Sequence, residues 1–258
     1  MNENIEKIRE SFTLQAKNFE SSSMNFSKKE YLDYTVKCMN LNPNDEVLEA
    51  AAGTCACGRS IAPFVKSVTC YDATKAMLDV GRREAANCNL NNINFIEGLV
   101  EDMPFKKGEF DIVISRLAFH HFSNIESAFK EMARVVKENG KLVIIDMEAA
   151  SEELREIEDN IETMRDMSHV KNISKDEFLA LYKGYGFNVT IAESTPILVS
   201  LNAWFELTKT PEDTRKEITD MMIDEINGKS KTGFKPSLKD GEIYFWQRWL
   251  LVIGEKTK

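Results

Sequence analysis

From residue 46 to residue 146 the chain alternates short, largely apolar β-rich runs with helical segments, and this alternation constrains the fold more than any other feature. Glu46 to Ala50, Ser67 to Tyr71, Ile93 to Ile96, Phe110 to Ser115 and Lys141 to Asp146 read as strands. Arg59 to Lys66, Thr74 to Ala86 and Ile125 to Val136 read as helices, the last with a glycine stop at Gly140. Ala76, Met77, Val80 and Ala85 give the middle helix the spacing of an amphipathic face. Mostly apolar strands joined through helices predict a doubly wound α/β architecture, a mostly parallel sheet covered on both faces.

Past this region, Ser151 to Ser168 and Ser174 to Tyr182 read as helices, and Phe187 to Leu201 and Ile243 to Gly254 as long β-rich segments. A helical insertion from about Asn202 to Asn227 separates them. Met1 to Met39 reads as amphipathic helix with a polar break at Ser21 to Ser23. No internal repeat or linker interrupts the chain, so residues 1–258 are expected to form one domain. Residues 1–45 would be a helical lid, 46–147 a ligand-binding core, and 148–258 the C-terminal helices and closing strands.

Charge and cysteine usage narrow the function classes. The 33 basic and 42 acidic residues leave a net charge of −9, which opposes the positive field that nucleic-acid binding needs. No nucleic-acid partner is expected. The five cysteines, Cys38, Cys55, Cys57, Cys70 and Cys88, are odd in number and match no CxxC or zinc-finger spacing. A disulfide framework and a metal site are therefore not expected, and a reducing compartment is. The N-terminal MNENIEKIRE lacks an apolar signal segment, and apolar runs such as Trp249 to Ile253 are far too short for a membrane span. A cytoplasmic location is expected.

Doubly wound sheets bind ligands beyond the carboxyl ends of their strands, and the first strand-to-helix turn here reads VLEAAAGTCACGRS. Gly53 can adopt backbone angles closed to other residues, and Ala50, Ala51 and Ala52 keep the same surface low. The next strand ends at Asp72, nineteen residues after Gly53, near the spacing at which an acid holds a nucleoside ribose. The bland alternative is a turn glycine and an acid that caps the helix starting near Thr74. A dinucleotide site would need GxGxxG for its pyrophosphate, and these positions do not supply it. A nucleoside ligand without phosphates fits better, and S-adenosyl-L-methionine (SAM) is one.

The segments VLEAAAGT, CYDATKAML, FIEGLVEDMPFKKGEFDIVISRLAFHHF and EMARVVKENGKLVIIDM together resemble a class I SAM-dependent methyltransferase. They are similar to the ubiquinone/menaquinone-biosynthesis C-methyltransferases and their uncharacterised bacterial cousins. The resemblance spans about residues 10 to 147. It implies a Rossmann-like, seven-stranded sheet whose last strand, about Ile243 to Gly254, is antiparallel. It also implies SAM as cofactor, S-adenosyl-L-homocysteine as product and a small-molecule methyl acceptor. By the same resemblance Glu49 lies near the cofactor's ammonium, and Ala51, Gly53 and Thr54 form the loop under its methionine and ribose. Asp72 holds the ribose hydroxyls, and Ala73 and Met77 flank the adenine. Leu99, Val100 and Glu101 meet the adenine edge, and Arg116 opens onto the methionine part. The chain departs from the family at Ala51 and Cys55, where glycines are usual, and at Leu99, where Asp or Asn is usual.

Further candidates lie outside this resemblance. His120 and His121 follow the fourth strand, at the rim where an acceptor would lie, and His120 is the candidate base or orienting group. His169 is a second candidate for the same pocket. Cys55 sits at a helix start that could lower a thiol pKa, against the simpler reading of small residues filling a tight turn. Phe12, Phe19, Met24, Phe26, Met164, Met167 and Phe178 are either core or part of a lid, and Trp204 and Phe205 could add to that cover. Two other functions share the same loop. One is a non-catalytic SAM-binding protein acting through a partner; the other is a nucleotide-dependent oxidoreductase, which the missing GxGxxG disfavours.

Overall fold

The computed structural model describes residues 3–16, 19 and 28–257. Strands β1 (Glu46–Ala50), β2 (Ser67–Asp72), β3 (Ile93–Glu97), β4 (Phe110–Arg116) and β5 (Val136–Met147) form the parallel part of one sheet. Its order is β3-β2-β1-β4-β5-β8-β6, with β6 (Phe187–Ser200) and β8 (Glu242–Lys256) closing one edge. As expected, β8 runs antiparallel to both neighbours. The short β7 (Ser237–Lys239) pairs with β8 and makes an eighth strand beyond the expected seven.

Alternation along the strands divides the core into two layers. Val47, Ile112, Ile114, Val143 and Ile253 face one side with Ile61, Leu32 and Met39. Leu48, Val113, Leu142, Ile144 and Val252 face the other with Phe129, Met132, Phe178 and Tyr182. The helices are α1 (Glu3–Gln15), α2 (Lys29–Met39), α3 (Ala56–Ile61), α4 (Lys75–Asn87), α5 (Ile125–Val135), α6 (Arg155–Arg165), α7 (Lys175–Gly184), α8 (Leu201–Thr208) and α9 (Glu212–Ile226). Short 3₁₀ turns at Ala62–Phe64 and Phe119–His121 complete the order.

The expected glycine stop at Gly140 is corrected. Helix α5 ends at Val135 and passes straight into β5, so Gly140 lies inside the strand. The β-branched Val135-Val136 pair favours extended backbone, and Gly108 and Glu109 donate to the Arg134 and Val135 carbonyls at 2.9 and 2.8 Å. Those bonds satisfy acceptors that a helix end would leave open.

Strands β6 and β8 pair from Phe187↔Lys256 to Ser200↔Tyr244, well past the end of β5. Trp204 of α8, Phe234 and Phe245 pack on the extension, with ring centroids 4.9 to 5.8 Å apart. It therefore overhangs the carboxyl ends of the parallel strands. No described helix is long and apolar enough to cross a membrane.

Candidate active site

A cavity of about 290 Å³ opens at the carboxyl ends of the parallel strands, where doubly wound sheets hold their ligands. Glu49, Ala51, Gly53, Thr54, Asp72, Ala73, Met77, Leu99, Val100, Glu101 and Arg116 all line it, and so does His120. Helix α1 covers it from one side and the overhanging β6–β8 extension with α8 from the other.

The turn after β1 explains its residue types. Ala51, Gly53 and Cys55 all have left-handed backbone, with φ of 53°, 53° and 60°. Glycine reaches that region freely, whereas a residue with a Cβ is strained there by roughly 1–2 kcal/mol. Gly53 donates its N–H to Asp72 Oδ2 at 2.8 Å, and Thr74 donates to Asp72 Oδ1 at 2.7 Å. The acid thus both shapes the turn ahead of α4 and holds the glycine loop. Burial raises the Asp72 pKa, and the two N–H groups resist that rise. Each oxygen keeps a lone pair for a further donor.

Glu49 lies beneath the same turn. Gly58 donates to its Oε2 at 2.7 Å, an approach open only because Gly58 lacks a Cβ, which would fall 2.6 Å from that oxygen. Burial pushes the Glu49 carboxyl up to about 7, against the pull of Gly58 and Arg116. Arg116 stacks its guanidinium on Trp249 at 5.3 Å. Its Nε and Nη2, the side-on fork that grips a carboxylate, are buried without a hydrogen-bond partner.

At the rim beyond β4, His120 is buried, and its Nδ1 lies 2.6 Å from Asp146 Oδ1 at the end of β5. Asp146 Oδ2 accepts from the N–H groups of Ala118 and Phe119 at 2.8 and 2.7 Å, fixing the pair to the turn. Burial alone would lower the His120 pKa, but the charge and hydrogen bond of Asp146 raise it overall. Asp146 is held low by His120 and these N–H groups although burial opposes them. His121 behaves oppositely. Burial, aided by His120, pushes it down to about 3, and its Nδ1 donates to the Ser168 carbonyl at 3.0 Å.

Helix α1 is latched across this site. Ser11 and Gln15 donate to Asp166 at 3.1 and 3.3 Å, and Arg9 donates to the Ala73 carbonyl at 3.1 Å. Asn4 donates to the His121 carbonyl at 3.1 Å, and Phe12 packs edge-on against the His121 ring at 5.0 Å.

Several expectations need correction. His169 does not line the cavity; its Nε2 is taken by Asp159 at 2.9 Å. Burial raises the Cys55 pKa rather than lowering it, so the small-residue reading of the turn holds. Among the lid candidates, Phe12, Phe19 and Trp204 line the cavity. Phe178 is core against Phe119 at 5.6 Å, and Phe205 is buried outside the cavity. Met164 packs on the core and Met167 is exposed. Met24, Phe26 and the break at Ser21 to Ser23 lie outside the described residues. Of the N-terminal segment, α1 covers the cavity, while α2 buries Leu32 and Met39 in the core.

One grouping was not expected. Ligand atoms of Glu49, Cys55 and Cys70 lie within 4.8 Å of one another. Burial raises both thiols, keeping them protonated, and Gly58 already occupies Glu49 Oε2. Sequence reasoning also missed Asp146 and Arg165. An acid closing the run LVIID was a usable signal for Asp146. None marked Arg165, because only the folded chain brings α6 to the cavity.

A family model described as a methyltransferase domain matches residues 48–144. The chain is 29% identical to the uncharacterized methyltransferase YcgJ of Bacillus subtilis (strain 168) over 75% of this chain and 77% of that one. The solved YcgJ structure superposes with a TM-score of 0.80 at 27% identity, covering 90% of this chain and all of that one. The uncharacterized protein YafE of Escherichia coli (strain K12) is 33% identical over 57% of this chain and 72% of its own length. This chain belongs to the class I SAM-dependent methyltransferases. The likeness to the UbiE C-methyltransferase of Haemophilus ducreyi, 29% identical, spans 44% of this chain and 45% of that one. It therefore concerns the shared methyltransferase core.

Proposed function

We propose that the cavity binds SAM along the glycine turn and transfers its methyl group to a small molecule entering between His120 and the β6–β8 overhang. The observation that carries this reading is the pairing of Asp72, both oxygens pinned by backbone N–H groups, with the orphaned Arg116 fork in one cavity. Asp72 would accept from both ribose hydroxyls, and the fork would take the methionine carboxylate. Glu49 beneath the turn would favour the ammonium, while Leu99, Val100 and Glu101 border the adenine with Ala73 and Met77. Where the family usually has Asp or Asn, Leu99 offers only backbone groups, so Glu101 is the side chain left to meet the adenine amine.

Bound SAM supplies a methyl carbon on a sulfonium; the acceptor's lone pair forms the new bond, and the sulfur keeps the old bonding pair as S-adenosyl-L-homocysteine. The protein's part is positioning, exclusion of water and handling of one proton. With Nδ1 on Asp146, the His120 ring leaves Nε2 for the acceptor proton. Helix α1 excludes water through its latch on Asp166.

The test is methyl transfer from isotope-labelled SAM to a fractionated small-molecule extract. Label should appear in an organic product with wild type and fall about 10²-fold or more with His120→Ala. Tight SAM binding with no labelled product from any fraction would favour a non-catalytic SAM-binding protein.

A further inference from the structure

We propose that Arg165 selects acceptors that carry a carbonyl or carboxylate oxygen on a mostly apolar body. This rests on the methyltransferase reading above and names the substrate class for the same site. Arg165 ends helix α6, lines the cavity and has a side chain only 6% exposed. Its Nη2 is 3.1 Å from Glu162 Oε2, whereas Nε and Nη1 are buried with no hydrogen-bond partner. Buried donors left unmade are costly, so a guanidinium held this way is completed when a ligand supplies acceptor atoms.

The surroundings say which acceptor. Glu162 is fully buried beside Arg165, and the Asp166 carboxylate stands 4.0 Å from Nη2. Asp166 is itself engaged by Ser11, Gln15 and Ser168. The positive charge is therefore already balanced, and what Nε and Nη1 lack is an oxygen rather than a counter-ion. A neutral carbonyl meets that need as a carboxylate does. The guanidinium lies 4.5 Å over the Trp204 ring, which fixes its plane. Trp249, on the same cavity, also has a buried Nε1 without a partner. Both are donors, so the ligand there must bring acceptors. Leu198, Val199, Ala203 and Leu207 line the same cavity and give the body of the molecule an apolar seat.

The test uses three indoles of similar shape, indole-3-acetate, indole-3-acetamide and 3-ethylindole, titrated calorimetrically into protein saturated with S-adenosyl-L-homocysteine. The first two should bind at least about tenfold tighter than the hydrocarbon analogue. Arg165→Met should reduce that preference to less than about twofold while leaving S-adenosyl-L-homocysteine affinity unchanged. If the single variant fails to fold because the buried Glu162 loses its cationic partner and keeps only Gln247, Arg165→Met with Glu162→Gln removes both charges and should give the same loss of preference. Equal binding of all three indoles, no binding of any, or a preference that survives in the variants would overturn the proposal. Failure of the unmodified protein to bind S-adenosyl-L-homocysteine would overturn the methyltransferase reading itself, and this proposal with it.

Discussion

Gly53 donates its backbone N–H to Asp72 Oδ2 at 2.8 Å, tying the turn after the first strand to the acid that ends the second. The carboxylate sits on the cavity wall with both oxygens already oriented, since Thr74 holds the other at 2.7 Å. A pre-oriented acid loses little freedom on binding a ribose.

Asp72→Ala should therefore weaken SAM binding by about 2–4 kcal/mol, the loss of two charge-assisted bonds. Equilibrium dialysis with labelled SAM measures it, alongside a melting curve to register the loss of the Gly53 and Thr74 bonds. Unchanged affinity in a folded variant would remove Asp72 from the site.

The left-handed turn predicts opposite outcomes for two neighbours. Gly53→Val should abolish SAM binding, because a β-branched residue is strained at φ of 53°. Cys55→Gly should retain it, since glycine relieves strain of roughly 1–2 kcal/mol at φ of 60°. Loss of binding in Cys55→Gly, read by calorimetry, would give the thiol a role that strain does not explain.

His120 should shape the pH profile of turnover. Its pKa is raised because the Asp146 charge and hydrogen bond outweigh burial, and a ring that takes the acceptor proton must be unprotonated at Nε2. The rate at saturating SAM should rise with pH through a midpoint above the ordinary 6.5 of histidine. His120→Ala should abolish that limb while SAM affinity stays unchanged. A limb that persists in His120→Ala would assign it to another group.

His121 should set acid stability. Its folded pKa is lowered to about 3, so below about pH 6.5 the unfolded chain binds a proton that the folded chain refuses. Stability should fall as pH drops from about 6.5 toward 3. His120, raised when folded, acts in the opposite sense and partly offsets this. Melting temperatures across pH 7 to 4 should decline less steeply in His121→Gln than in wild type, and parallel curves would refute the assignment.

The part of the molecule legible in the sequence is the part whose logic is local. Strand β1, the turn, α3 and β2 follow one another directly, so Gly53 and Asp72 could be placed on one wall from spacing alone. What long-range pairing builds was legible only in outline: the antiparallel last strand was expected from the resemblance, but not which of its side chains would reach the cavity. Trp249 reaches the cavity because β8 pairs antiparallel with β5, with Met147 opposite Trp249. Arg165 comes from α6, a helix of mostly acidic and polar residues that gave no hint of a site, yet it stacks on Trp204 of α8. At Gly140 a local rule misled, because Val135-Val136 had already turned the chain extended.

Calorimetric titration of the unmodified protein with SAM, S-adenosyl-L-homocysteine, NAD and NADP tests the central claim most directly. The account predicts saturable one-to-one binding of the first two and none of the dinucleotides, whose pyrophosphate finds no GxGxxG turn here. Binding of NAD or NADP without binding of SAM would contradict it.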